Sequence, residues 1–254
     1  MWRIGGVLDG LVAPLFTIPL WLDLTAVAVG AIQGAMFASR FRENRLDLLG
    51  VAIIGLVIGL GGGLARDILI NQVPASMQNN WYLITAIGAA LMGMLLLRLF
   101  DRLNPLIIAL DALTIGLFAA IGTAKALSVG LPEVPAIFIG VVAAVGGSVV
   151  RDIMLNLPVA LMHVGSLYAA AAAAGTIAMA TAVRLEVPVV TAAIGCVILT
   201  TVVRLLSVRY GWSLPEQRAL SSWPRWRRRQ SGIINGGDRG GPRRWVPRRR
   251  LRDD

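Results

Sequence analysis

Apolar residues come in seven long runs, at about 20–39, 47–70, 82–100, 105–128, 134–156, 164–183 and 187–208. Each is long enough, at about 1.5 Å per residue, to cross a hydrocarbon core of roughly 30 Å. Charges or prolines separate most of them: Arg40 to Asp47, Pro74, Asp101 to Pro105, Leu131 to Pro135, Pro158, and Arg184 to Pro188. None of the runs alternates in the ten-residue pattern of a membrane β-strand. The pattern predicts an all-α polytopic membrane protein with seven transmembrane helices. Residues 1–18, with Asp9, Pro14 and Pro19 close by, read as a lead-in near the membrane surface.

Composition agrees. Of 254 residues, 56% are apolar and only 15% charged, against roughly 25% charged in soluble proteins. The net charge of +10 is concentrated at the C-terminus, where residues 210–254 carry 12 Arg against 4 acids. That tail, at 209–254, is predicted to be disordered and cytoplasmic and to meet anionic lipid; nucleic acid is not expected as a partner. Loop 1–2 carries Arg40, Arg42 and Arg45, and loop 3–4 carries Arg98 and Arg102. The positive-inside rule therefore places these loops and the C-terminus in the cytoplasm, with the N-terminus outside. No signal peptide is evident, and the first helix is expected to direct its own insertion. Cys196 and His163 are the sole residues of their kinds and read as packing or interface residues. No zinc spacing, phosphate loop or nucleophile triad is present, so neither an enzyme nor a metal or cofactor site is expected.

The chain repeats itself. Gly61-Gly62-Gly63-Leu64-Ala65-Arg66-Asp67-Ile68-Leu69-Ile70-Asn71 returns 85 residues later as Gly146-Gly147-Ser148-Val149-Val150-Arg151-Asp152-Ile153-Met154-Leu155-Asn156. Asp23, Gly34 and Ala38 match Asp111, Gly122 and Ala126 at an offset of 88. Each unit holds three spans, the first at about 20–100 and the second at about 105–183. An odd number makes the second copy enter the membrane from the opposite side, so the units form inverted repeats. The seventh span, at about 187–208, stands outside the repeat, and residues 1–208 form one membrane domain.

Glycine triplets are weak points in a helix, and charges at membrane depth are costly and usually functional. The repeated motif therefore predicts that spans 2 and 5 are interrupted at Gly61–Gly63 and Gly146–Ser148. Freed carbonyls there would line a polar path for a cation, with Arg66, Asp67, Arg151 and Asp152 flanking it. Close helix packing is the structural alternative for these glycines. Adjacent Arg and Asp point about 100° apart on a helix. Each Asp is thus expected to anchor a neighbouring helix while each Arg lies nearer the path; cross-repeat pairs, Arg66 with Asp152 and Arg151 with Asp67, are another arrangement, and a purely structural ion pair is the alternative for each Arg-Asp motif. Asp23 and Asp111 read either as N-caps or as a shared structural or gating pair. Lys125 either faces the path, repelling cations or sensing voltage, or snorkels to the interface.

The paired Gly-Gly-Gly-x-x-Arg-Asp and Gly-Gly-Ser-x-x-Arg-Asp motifs, in two three-span units plus a seventh span, resemble the TRIC (trimeric intracellular cation) channel family, in its bacterial branch. The resemblance covers about residues 20–208. It implies a homotrimer in a bacterial plasma membrane, a pore inside each subunit, helices 2 and 5 kinked at the glycine motifs, and passage of monovalent cations, K⁺ or Na⁺, near Gly61–Gly63 and Gly146–Ser148. Bacterial relatives are also classed as glycine transporters, so a carrier of glycine or another small zwitterion is the competing function. A non-transporting membrane scaffold is a third reading.

Overall fold

A computed structural model describes residues 18–40, 46–99, 104–162 and 167–212. All of them belong to one compact unit, Met1–Pro215. The lead-in at 1–17, Arg42, Arg45, Arg102, His163 and the tail at 213–254 lie outside the described residues.

The described residues form eight α-helices: α1 (Leu20–Arg40), α2 (Leu48–Leu69), α3 (Ala75–Gln78), α4 (Asn80–Leu99), α5 (Asn104–Ser128), α6 (Glu133–Met154), α7 (Tyr168–Arg184) and α8 (Val189–Tyr210), with a 3-10 turn at Ala160–Met162. Spans 1 to 7 of the sequence thus correspond to α1, α2, α4, α5, α6, α7 and α8, and α3 is a single four-residue turn. Five helices, α1, α2, α5, α6 and α8, are long and apolar enough to cross a membrane.

The chain builds two three-helix bundles. In the first, α1 packs on α2 and α4; in the second, α5 packs on α6 and α7; α8 lies against α5 and α7. The bundles meet where α1 touches α5 and α2 touches α6. Gly30 lies beside Thr114, while Gln33 bonds Asp111. Partners descend along α5 as positions rise along α1, so the two helices run antiparallel. Ile58 lies against Gly147 and Gly62 against Ala143, so α2 and α6 are antiparallel as well. Large apolar side chains face outward on α2, α4 and α8, among them Leu49, Ile53, Ile84, Leu91, Ile194 and Ile198. Water would not tolerate this surface, and lipid would.

The ends of α2 and α6 show why the motif closes on asparagine. Asn71 and Asn156 adopt left-handed φ values of 53° and 52°, a region Asn enters more easily than most residues. The N–H of Asn71 donates to Ile68 O and that of Gln72 to Asp67 O; Asn156 and Leu157 repeat this with Ile153 and Asp152. These are Schellman terminations, which satisfy carbonyls that would otherwise be orphaned at the helix end.

One expectation is corrected. Both α2 and α6 are α-helical without interruption through Gly61–Gly63 and Gly146–Ser148. The carbonyls there remain in the helical ladder and are not released to line a path. The reason is packing. A Cβ on Gly147 would lie 2.6 Å from the Ile58 carbonyl oxygen, one on Gly61 would lie 3.0 Å from Gly147 Cα, and one on Gly62 would collide with the Ala143 carbonyl. Here the glycines let two backbones touch, as small residues do between membrane helices.

Candidate functional site

Two polar clusters flank the α2–α6 crossing, one from each repeat. In the first, Arg66 turns back onto its own neighbour, with Nε donating to Asp67 Oδ1 at 2.7 Å. The same oxygen accepts Lys125 Nζ from α5 at 2.8 Å. Asp67 Oδ2 accepts the backbone N–H of Ala75 at 2.9 Å, which ties the start of α3 to α2. Asp23 of α1 accepts the Tyr82 hydroxyl of α4 at 2.6 Å. Arg66 Nη1 stands 3.8 Å from Asp23 Oδ1 and makes no hydrogen bond. Arg66 and Asp67 are each 1% exposed. So deep an ion pair persists only because the carboxylate satisfies several donors at once.

The second cluster repeats the plan. Arg151 Nε and Nη2 reach Asp152 Oδ1 at 2.8 and 2.7 Å, and Asp152 Oδ2 accepts Ala160 N–H at 3.0 Å. Asp111 of α5 accepts the Tyr168 hydroxyl of α7 at 2.8 Å. It also receives Gln33 from α1 at 3.3 Å and Arg204 from α8 at 3.5 Å.

The clusters depart from symmetry at one register. The 88-residue offset pairs Lys125 with Phe37. Lys125 supplies a second cation to Asp67; Phe37 instead lies under the Arg151 guanidinium, 4.1 Å from its ring centroid. A cation–π contact thus stands where the other repeat has an ion pair.

Each cluster borders a small polar cavity. The first is lined by Asp23, Gly63, Arg66, Asp67, Ser76 and Tyr82, the second by Gln33, Asp111, Thr114, Gly147, Ser148 and Tyr168. Phe118 of α5 lines both. It is 2% exposed and lies against Gly30 and Gly62. Each cavity offers about 10 Å³ to the centre of a water-sized sphere, which is room for roughly one water. Neither of these two cavities has room for a hydrated ion.

The third motif position faces these cavities rather than the partner helix. A Cβ on Gly63 would meet only Arg66 Nη2, at 3.9 Å. Ser148, its counterpart, donates its hydroxyl to Val145 O at 2.8 Å. The departure from glycine is therefore free of packing cost.

Several sequence expectations change. The cross-repeat pairs Arg66–Asp152 and Arg151–Asp67 are not formed; each Arg pairs with the Asp beside it. Asp67 does anchor a neighbouring helix, through Lys125. Asp23 lies within the first turn of α1 and Asp111 in the interior of α5, so neither is an N-cap. Lys125 is drawn inward to Asp67 and does not snorkel. Cys196 packs in the core at 1% exposure. Tyr82, Tyr168, Gln33, Phe37 and Arg204 were not singled out by the sequence. The tyrosines were recoverable, since they stand 86 residues apart near the start of the third span of each unit.

Comparison with known proteins completes the assignment. A family model described as "Glycine transporter" matches residues 20–98 and 108–184, one match over each three-helix unit. A UPF0126 membrane protein of Deinococcus radiodurans is 35% identical over 78% of this chain and 91% of its own length. The UPF0126 inner membrane protein YadS of Escherichia coli K12 is 32% identical over 77% and 94%. A TRIC cation channel whose structure was solved to explain conductance superposes with a TM-score of 0.68 at 31% identity, covering 78% of this chain and 96% of that one. The trimeric intracellular cation channel orthologue from Rhodobacter sphaeroides gives 0.69 at 26%, covering 76% and 97%. Two repeats, their matched ion pairs and these relatives converge on one conclusion: the chain is an integral membrane protein and belongs to the TRIC channel family, whose sequence model is described as a glycine transporter.

Proposed function

We propose that this protein is a monovalent cation channel, passing K⁺ along a route inside each subunit of a homotrimer. The observation that carries the reading is the pair of equivalent polar cavities meeting at Phe118. Asp23 and Asp67 in the first and Asp111 in the second stand beside a helix crossing too tight for side chains, and carboxylate oxygens so placed can stand in for a cation's water in stages. All seven long helices span the membrane as two inverted repeats plus α8. The N-terminus lies outside and the C-terminus in the cytoplasm, and the basic tail lies on anionic lipid. No cofactor is needed beyond the permeant ion. With each cavity holding about one water, this conformation is closed. Opening bends α2 and α6 at Gly61–Gly63 and Gly146–Ser148, where a helix lacking side chains yields most easily. The bend withdraws Phe118 from between the cavities. The family's solved relatives, named as cation channels, support this reading.

A second reading has an observation of its own. The unbonded Arg66 Nη1 and the Asp23 carboxylate face one cavity 3.8 Å apart, a donor and an acceptor suited to the carboxylate and ammonium of a zwitterion. One experiment separates the two. Protein reconstituted in planar bilayers and in liposomes is assayed for unitary K⁺ currents and for glycine uptake. Unitary currents without saturable uptake are the expected result; saturable glycine uptake with no unitary current overturns the channel reading in favour of the carrier.

A further inference from the structure

The two clusters differ in where their second cation comes from. In the first, Asp23 and Asp67 face Arg66 and Lys125, all from the helices of the repeats. In the second, the register of Lys125 is occupied by Phe37, and Asp111 and Asp152 would face Arg151 alone. Arg151 gives Nε and Nη2 to Asp152 and stacks on Phe37. The missing charge comes from α8, the helix outside the repeat. Arg204 Nη2 stands 3.5 Å from Asp111 Oδ2, and its guanidinium lies 4.6 Å from the centroid of the Tyr168 ring. Its Nε is buried without a hydrogen-bond partner. Asp111 and Tyr168 both line the second cavity, so Arg204 holds two of its walls from behind.

We infer that Arg204 is the positioning residue that sets the electrostatic potential of the second cavity, replacing from α8 the cation that the repeat loses at Phe37. With it, each cluster holds two acids and two bases. Without it, the second cluster carries one uncompensated negative charge, and the two mouths of the route become unequal. Arg is suited to this task because its planar guanidinium contacts a carboxylate and stacks on an aromatic ring at the same time. The seventh helix is then part of the permeation machinery. This inference rests on the channel reading for its consequence in current, but the potential it describes exists in either a channel or a carrier.

The test uses the intact protein with Cys196→Ala and a reporter, Thr114→Cys, in the second cavity. Rates of modification by cationic and anionic methanethiosulfonate reagents are compared with and without Arg204→Gln. A unit charge about 8 Å away, even with the dielectric of water, changes the ratio of the two rates by about fivefold. The cation-to-anion ratio is expected to rise by at least that factor in Arg204→Gln, to return in Arg204→Lys, and to return in Arg204→Gln combined with Asp111→Asn. K⁺ currents of Arg204→Gln are expected to rectify where those of the parent do not. An unchanged ratio in protein that elutes and melts like the parent overturns the inference. If the closed conformation, with room for about one water in this cavity, admits neither reagent, the current decides: an Arg204→Gln protein that conducts without rectification overturns the inference. Absence of K⁺ current in the parent overturns the channel reading instead, and the reagent ratio still decides the role of Arg204.

Discussion

Asp67 carries more of the first cluster than any other side chain. Its two oxygens take Arg66 Nε, Lys125 Nζ and Ala75 N–H, joining α2, α3 and α5. Asp67→Asn keeps the shape and removes the charge, leaving Arg66 buried with only Asp23 at 3.8 Å. Breaking a buried pair in this way costs about 3–5 kcal/mol, and thermal unfolding in detergent should show it as a large loss of stability. The motif glycines should divide by position. Gly62→Ala and Gly147→Ala push a methyl into the Ala143 and Ile58 carbonyls and should cost about 1–3 kcal/mol as overpacking. Gly63→Ala meets nothing closer than Arg66 Nη2 at 3.9 Å and should change stability by less than about 0.5 kcal/mol. Equal effects at Gly62 and Gly63 in the same unfolding assay would contradict the packing described for α2 and α6.

At the level of elements, α2 and α6 are the same helix written twice. Each ends in an Asp that caps the following segment and an Asn that stops the helix. Asn71→Gly should be tolerated, whereas Asn71→Val forces a β-branched residue into the left-handed region at about 1–2 kcal/mol. The pair Asn156→Gly and Asn156→Val should behave alike, as denaturation of the purified variants would show. These elements were legible in the sequence because hydropathy marks helices directly and an 85-residue echo marks the duplication. The helix state at the glycines was not legible. A triplet that weakens a helix also lets another helix come close, and the choice depends on what stands opposite, here Ala143 and Ile58. The pairing of Arg66 with Asp67, in sequence only the structural alternative, was hard to read for a related reason. Helical spacing separates the Cβ directions of adjacent residues, but the long arginine side chain folds back across that angle. Arg204 carried no signal because α8 has no partner in the repeat against which to compare it.

For the whole molecule, the apolar outer faces of α4 and α8 suit lipid, while each internal cavity has room for about one water. The proposal gives the basic tail a role at anionic lipid and none in the route. Removing residues 215–254 should leave K⁺ flux in liposomes unchanged while lowering binding to vesicles rich in anionic lipid; lost flux in correctly assembled protein would give the tail a share in conduction. The body itself stands or falls on the two cavities being halves of a single route closed at Phe118, and single-channel recording of Phe118→Ala in K⁺ tests this most directly. With the ring gone, time spent open should rise about tenfold or more, equivalent to roughly 1.4 kcal/mol in the balance between closed and open states. A Phe118→Ala protein that elutes and melts as an assembled species yet conducts as the parent does would show that cations do not pass between these cavities.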